Sequence, residues 1–209
     1  MIKVYPLPLG NYQTNCYILS KDNKAVVVDP GAEVNKLITY LNSNQLELVA
    51  IVITHGHFDH IGAVEPLTKA YNVPVIIHQQ EEDYLTNTEI NSSGRLGRTG
   101  LVVTVHSKIE TIQTEGEITL LDEQFYIYHI PGHSRGSIVL YNAESGFAIV
   151  GDVLFKSSVG RTDLIHGNHD LLIKGIKEKL MTLPDDTIVY PGHGPATLIG
   201  MEKRTNPFL

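Results

Sequence analysis

An unbroken apolar run, Leu48 to Ile53, ends directly on Thr54-His55-Gly56-His57-Phe58-Asp59-His60. The apolar part reads as a strand buried on both faces, so the chain must fold with layers covering a sheet. The polar part packs three histidines and an aspartate into positions 55–60. Such a cluster has little purpose in an apolar core, whereas imidazole and carboxylate are metal ligands. In extended chain alternate side chains share one side, so His55 and His57 can aim at one ion. Gly56 leaves room there for the backbone to turn. Asp59 and His60 follow the bend and can serve a second ion, with His60 opening a helix.

Three later strand ends have the same shape. Residues 124–130 lead into Pro131-Gly132-His133-Ser134, residues 147–150 into Gly151-Asp152, and residues 187–190 into Pro191-Gly192-His193-Gly194. Taken singly, His133 or His193 would read as a surface histidine, and Asp152 beside glycine as a turn residue. Together with the run at 54–60 they supply seven imidazole or carboxylate ligands. One zinc needs about three protein ligands plus water, so seven suit two adjacent ions. The other five histidines, His78, His106, His129, His166 and His169, lie in strands or loop-like sequence and are assigned to no metal.

Around these motifs the pattern is strand-rich. Short strands are predicted at 2–7, 15–20 and 25–29, a helix at 33–43, a helix from Ile61 to Tyr71 and a strand from Val73 to His78. Strands follow at 117–121, 124–130, 137–142, 147–150 and 187–190. A helix runs from Asp170 to Leu183, with Asn168 as its cap. Residues 80–115 are polar and give no clear pattern. No linker, repeat or low-complexity segment interrupts the chain, and one domain spanning 1–209 is expected.

Composition narrows the function classes. With 209 residues and a formal charge of −7, the chain lacks the basic balance of a phosphate-backbone binder. No apolar run approaches the roughly 18 residues that span a bilayer. The N-terminus lacks signal-peptide features, so a cytoplasmic location is expected. The single cysteine, Cys16, rules out an internal disulfide and lies in an apolar strand, as a core thiol.

The T-H-x-H-x-D-H run at 54–60 resembles the signature of the metallo-β-lactamase superfamily. Within it the chain is similar to the short bacterial glyoxalase II-like hydrolases, from Asn15-Cys16-Tyr17 through Asp29-Pro30-Gly31 to Pro191-Gly192-His193-Gly194-Pro195. The resemblance implies an α+β fold, a four-layer αββα sandwich. It implies that His55, His57 and His133 hold one ion, that Asp59, His60 and His193 hold the other, and that Asp152 bridges both. It leaves Asp29 as either a residue that orients the ligand loop or a plain turn residue. Two divalent ions, zinc first with iron or manganese open, would deprotonate a shared solvent molecule and polarise a carbonyl. Asp59 would also orient the attacking solvent.

The expected substrate is a small-molecule thioester, with no nucleic-acid or membrane partner. Full-length glyoxalase II enzymes carry a C-terminal helical region that contacts glutathione, and about sixteen residues follow His193 here. The thiol carrier therefore stays open. Arg161, in Ser158-Val159-Gly160-Arg161-Thr162-Asp163, would bind a substrate carboxylate or pair with Asp163, the second being favoured. The principal alternative is a persulfide dioxygenase, which uses one iron on the same fold. That group usually shows a Pro-Ala-His-Asp type segment where this chain has Pro191-Gly192-His193-Gly194. A β-lactamase with cysteine at the Asp152 position and a nuclease with an added nucleic-acid-binding region fit less well.

Overall fold

The computed structural model describes residues 1–96 and 102–209, with two compact units, Met1–Ile112 and Gln113–Leu209. Part of the unreadable stretch at 80–115, residues 97–101, lies outside the described residues.

The first unit is one six-stranded sheet with helices. Its strands are β1 (Lys3–Leu9), β2 (Thr14–Lys21), β3 (Lys24–Val28), β4 (Glu47–Val52), β5 (Val75–His78) and β6 (Ile109–Ile112), in that spatial order. The pairs β1–β2 and β2–β3 are antiparallel, and the remaining pairs are parallel. Helix α1 (Val34–Ser43) makes the first parallel crossover. Leu37 and Leu41 of α1 share one core with Ile18, Val27, Ile51 and Val75. The buried faces of β3 and β4 explain why the run from Leu48 is apolar throughout. At the sheet edge, β1 carries Pro6 and Pro8 two positions apart, so neither offers an amide to a further strand.

The helix expected from Ile61 to Tyr71 is two helices, α2 (Phe58–Ile61) and α3 (Val64–Tyr71). The break has a local cause. The amide of Ala63 donates to the carbonyl of Pro30 at 2.8 Å, drawing the chain onto the Asp29-Pro30-Gly31 turn. A Cβ on Gly62 would lie 2.3 Å from the Gly31 oxygen, so only glycine allows that approach.

The second unit has the sheet order β14-β13-β10-β9-β8-β7. Its strands are β7 (Gly116–Leu120), β8 (Glu123–His129), β9 (Ile138–Asn142), β10 (Phe147–Gly151), β13 (Ile188–Pro191) and β14 (Thr197–Leu198). A small hairpin, β11 (Leu154–Phe155) with β12 (Ser158–Val159), stands apart. Helix α4 (His169–Lys179) has the expected cap, since Asn168 Oδ1 accepts from the Leu171 amide at 3.0 Å. Its Leu172 and Ile176 pack with Ile130, Val139, Ala148 and Val189. Helix α5 (Ile199–Thr205) is tied down by the fully buried Glu202, which accepts from Thr197 Oγ1, the Ser157 amide and Asn206 Nδ2. Among the described residues no helix is long and apolar enough to cross a membrane.

Candidate metal centre

His55, His57, Asp59 and His60 lie in the first unit, just past the end of β4. The three histidines are buried, and their rings are in contact: the His55 ring centre is 4.9 Å from that of His57 and 4.1 Å from that of His60. Three imidazoles crowded this closely would repel one another if protonated, and if neutral they bring lone pairs together. A cation between them removes both problems.

Asp29 sets how two of these rings face. Its Oδ1 accepts from the Thr54 amide at 2.7 Å, and its Oδ2 accepts from Thr54 Oγ1 at 2.6 Å and from His60 Nδ1 at 2.9 Å. The Thr54 hydroxyl, having donated to Asp29, accepts from His55 Nδ1 at 3.1 Å. Both rings thus carry their proton on Nδ1, which leaves Nε2 as the ligand atom. One atom each from Asp29, His55 and His60 lies within 4.8 Å of the others, but the Asp29 oxygens already accept three hydrogen bonds. Of the two roles left open for Asp29, the structure favours orientation. Its backbone φ of 52° is one that few side chains adopt without support.

The ligand run is also clamped from a side the sequence did not reveal. The Gly56 amide donates to Glu81 Oε2 at 2.8 Å, and a Cβ on Gly56 would fall 2.3 Å from Tyr84 Cβ. Gly56 therefore makes room for the segment Gln79–Leu85 as well as for a turn. The Phe58 amide donates to the Asn91 carbonyl, while Asn91 Nδ2 donates to the carbonyls of Tyr84 and Val103. Asp59 Oδ2 accepts from Thr14 Oγ1 at 2.8 Å and stands 3.7 Å from His60 Nε2.

His133, Asp152 and His193 lie in the second unit, each past the end of its strand as expected. The parallel pair β10–β13 ends with Gly151 opposite Pro191, and the Gly192 amide donates to the Gly151 carbonyl at 2.8 Å. That register sets Asp152 beside His193. Asp152 Oδ2 is 3.6 Å from His193 Nε2 and 3.6 Å from His133 Nε2. These separations exceed hydrogen-bond length. They are close to the edge of about 3.4 Å between ligands on a tetrahedral ion with bonds of about 2.1 Å. His133 Nδ1 donates to the Arg161 carbonyl at 2.8 Å, which again points Nε2 at the site.

Gly160 lets the chain pass close to this half, because a Cβ there would sit 1.8 Å from the Asp152 backbone carbonyl oxygen. The Arg161 guanidinium makes a two-pronged pair with Asp163, with Nε to Oδ1 and NH2 to Oδ2 both at 2.7 Å. That pair holds the Asp163 carboxyl down at about 2. Arg161 thus takes the structural of its two expected roles.

The remaining histidines fall in no cluster of metal ligands among the described residues. His78 Nδ1 accepts from the Gln80 amide, and His129 Nε2 donates to the Arg135 carbonyl. Cys16 is fully buried, and burial followed by the Asp29 charge pushes its thiol well above the usual range.

Residues 9–193 match the family model of the metallo-β-lactamase superfamily. The chain belongs to this superfamily. A probable metallo-hydrolase, YqgX of Bacillus subtilis, is 40% identical over 97% of this chain and 95% of its own length. The hydroxyacylglutathione hydrolase GloC of Haemophilus influenzae is 37% identical over 97% of this chain and 96% of its own. Among solved structures, the B3 metallo-β-lactamase BLEG-1 is 43% identical with a TM-score of 0.94, covering 99% of both chains. TTHA1623 in a di-iron-bound form is 36% identical with a TM-score of 0.85, over 98% of this chain and 100% of that one. ETHE1 from Myxococcus xanthus is 25% identical with a TM-score of 0.80, over 98% and 83%. The resemblance read from the motifs is borne out, and the α+β sandwich class it implied is the fold of this metallo-hydrolase family member. The histidine and aspartate groups suit divalent metal ions.

Proposed function

We propose that the two units act as one hydrolase domain, in which His55, His57 and His133 hold one divalent ion and Asp59, His60 and His193 hold a second. Asp152 bridges the two. The observation that carries this reading is the equal 3.6 Å spacing of Asp152 Oδ2 from His133 and His193, as a carboxylate shared by two sites requires. Zinc is the first choice for both positions. The likeness to TTHA1623, solved in a di-iron-bound form, keeps iron a candidate.

The proposed substrate is a small-molecule thioester. Bound ions of this kind supply a deprotonated solvent nucleophile near neutral pH and polarise a carbonyl. The chain's own part is positional. Asp29 fixes the tautomers of His55 and His60, and the Arg161 carbonyl fixes that of His133. Thr14 holds Asp59, whose carboxylate orients the attacking solvent. A thiolate leaving group has a pKa near 8.5, so protonation by a side-chain acid is dispensable. The one cysteine is buried and forms no disulfide, which fits a reducing, cytoplasmic location that cell fractionation would test.

The likeness to ETHE1 is compatible with the second reading, an iron-dependent persulfide dioxygenase. A panel separates the two. Lactoylglutathione, thioesters of other small thiols, a β-lactam, and a persulfide with an oxygen electrode are given to the same purified protein. Thioester cleavage without oxygen uptake is expected. Oxygen uptake with the persulfide and no thioester cleavage would replace the hydrolase reading.

A further inference from the structure

Beside Asp59 the first unit holds a cavity of about 440 Å³, within the range of about 300–1,000 Å³ that small-molecule sites occupy. Its walls come from the β1–β2 turn, the loop after β3, helices α2 and α3, and the segment at 102–104. Tyr12 and Phe58 form one wall, edge to face with ring centres 5.0 Å apart. Leu9, Ala32, Pro66 and Val103 add apolar surface.

The charged groups on this cavity are carboxylates. Asp59 and Glu65 line it, and no Lys, Arg or His does so among the described residues. Glu65 stays ionised: the His106 amide donates to it at 2.8 Å and Ser107 Oγ at 2.9 Å, and these bonds hold its carboxyl below the usual range. Lys69 reaches its other oxygen at 3.2 Å, but Lys69 is 73% exposed and lies off the cavity wall. The cavity therefore offers apolar contact and, away from the proposed metal ligand Asp59, the ionised carboxylate of Glu65 on its wall, which disfavours an anionic group beside it.

We infer that this cavity is the acyl pocket of the enzyme, taking an uncharged, medium-length aliphatic acyl group and rejecting acyl groups that end in a carboxylate. The inference rests on the thioesterase reading and adds the substrate class. A thioester carbonyl has two arms, and the arm entering here meets no Lys, Arg or His side chain among the described residues. Each buried methylene contributes about fourfold to kcat/KM. Pentanoyl, three methylenes longer than acetyl, should then be favoured by at least about tenfold.

The test uses acetyl, pentanoyl and succinyl thioesters of one neutral thiol, N-acetylcysteamine, with the metal-loaded protein. Pentanoyl should exceed both acetyl and succinyl by at least about tenfold in kcat/KM. The pentanoyl-to-acetyl ratio should fall toward one when Tyr12→Ala removes a wall or Ala32→Leu fills the space. A wild-type ratio near one, equal rates for succinyl and pentanoyl, or a ratio unchanged in both variants would overturn the pocket.

If no thioester is cleaved, the thioesterase reading fails by itself, and pentanamide binding judges the cavity. Binding to wild type that weakens at least tenfold in Ala32→Leu would uphold an aliphatic site. Absent binding, or equal binding to wild type and both variants, would overturn it.

Discussion

Asp29 acts on the site through two rings at once, directly on His60 and through Thr54 on His55. Asparagine keeps its size and tolerates its positive φ, but its amide nitrogen cannot accept from His60 Nδ1 and Thr54 as the carboxylate does. Asp29→Asn is therefore expected to fold and to bind metal about 10–100-fold more weakly, read by competition with a chelator. Metal affinity equal to wild type would show that the hydrogen bonds do not set the tautomers. A second test concerns the Arg161–Asp163 pair. Because pairing lowers the Asp163 carboxyl to about 2, its contribution is present above the ordinary value of about 3.9 and is lost as pH falls toward 2. Carboxyl NMR should place the wild-type midpoint near 2 and that of Arg161→Gln near 3.9. At this scale the candidate ligands could be singled out because each is a distinctive residue type at a strand end. Glu81 and Asn91 could not, because a glutamate or asparagine in polar sequence gives no sign that a distant glycine or amide will bury it.

The elements near the site depend on glycines that admit a neighbour's backbone. Gly160, just after β12, leaves no room for a Cβ against the Asp152 backbone carbonyl oxygen, which would be 1.8 Å away. Gly160→Ala is expected to cost about 1–3 kcal/mol in urea unfolding and to release metal along with Asp152. Gly146→Asn, at a turn position in open space with φ +68°, should shift the midpoint little. Equal effects of the two changes would mean that packing against Asp152 is not what Gly160 provides. The longer strands and α1 were legible from periodicity or apolar runs, whereas the two-residue strands β11, β12 and β14 and the break between α2 and α3 were not. That break depends on the Pro30 carbonyl, more than thirty residues earlier in the chain. The strand β6 lay inside the unreadable stretch because its two middle residues are exposed and its two end residues only partly buried, which breaks the alternation.

For the whole molecule, membership of the metallo-β-lactamase superfamily and histidine and aspartate groups that suit divalent ions converge on metal-dependent hydrolysis. The substrate was the least legible property. The acyl preference proposed here depends on a cavity whose walls are drawn from four separated stretches of chain, and on the charge around it. The candidate metal ligands were read from the run at 54–60 taken together with three later strand ends, and their pairing from the family resemblance. The most direct test of the central claim is the number of metal ions per chain in wild type and in Asp152→Ala, measured on protein assayed for thioester cleavage. Close to two ions are expected in wild type, falling by at least one in the variant with loss of most activity. A wild-type chain that is fully active with one ion, or a variant that keeps two ions and full activity, would contradict a bridging Asp152.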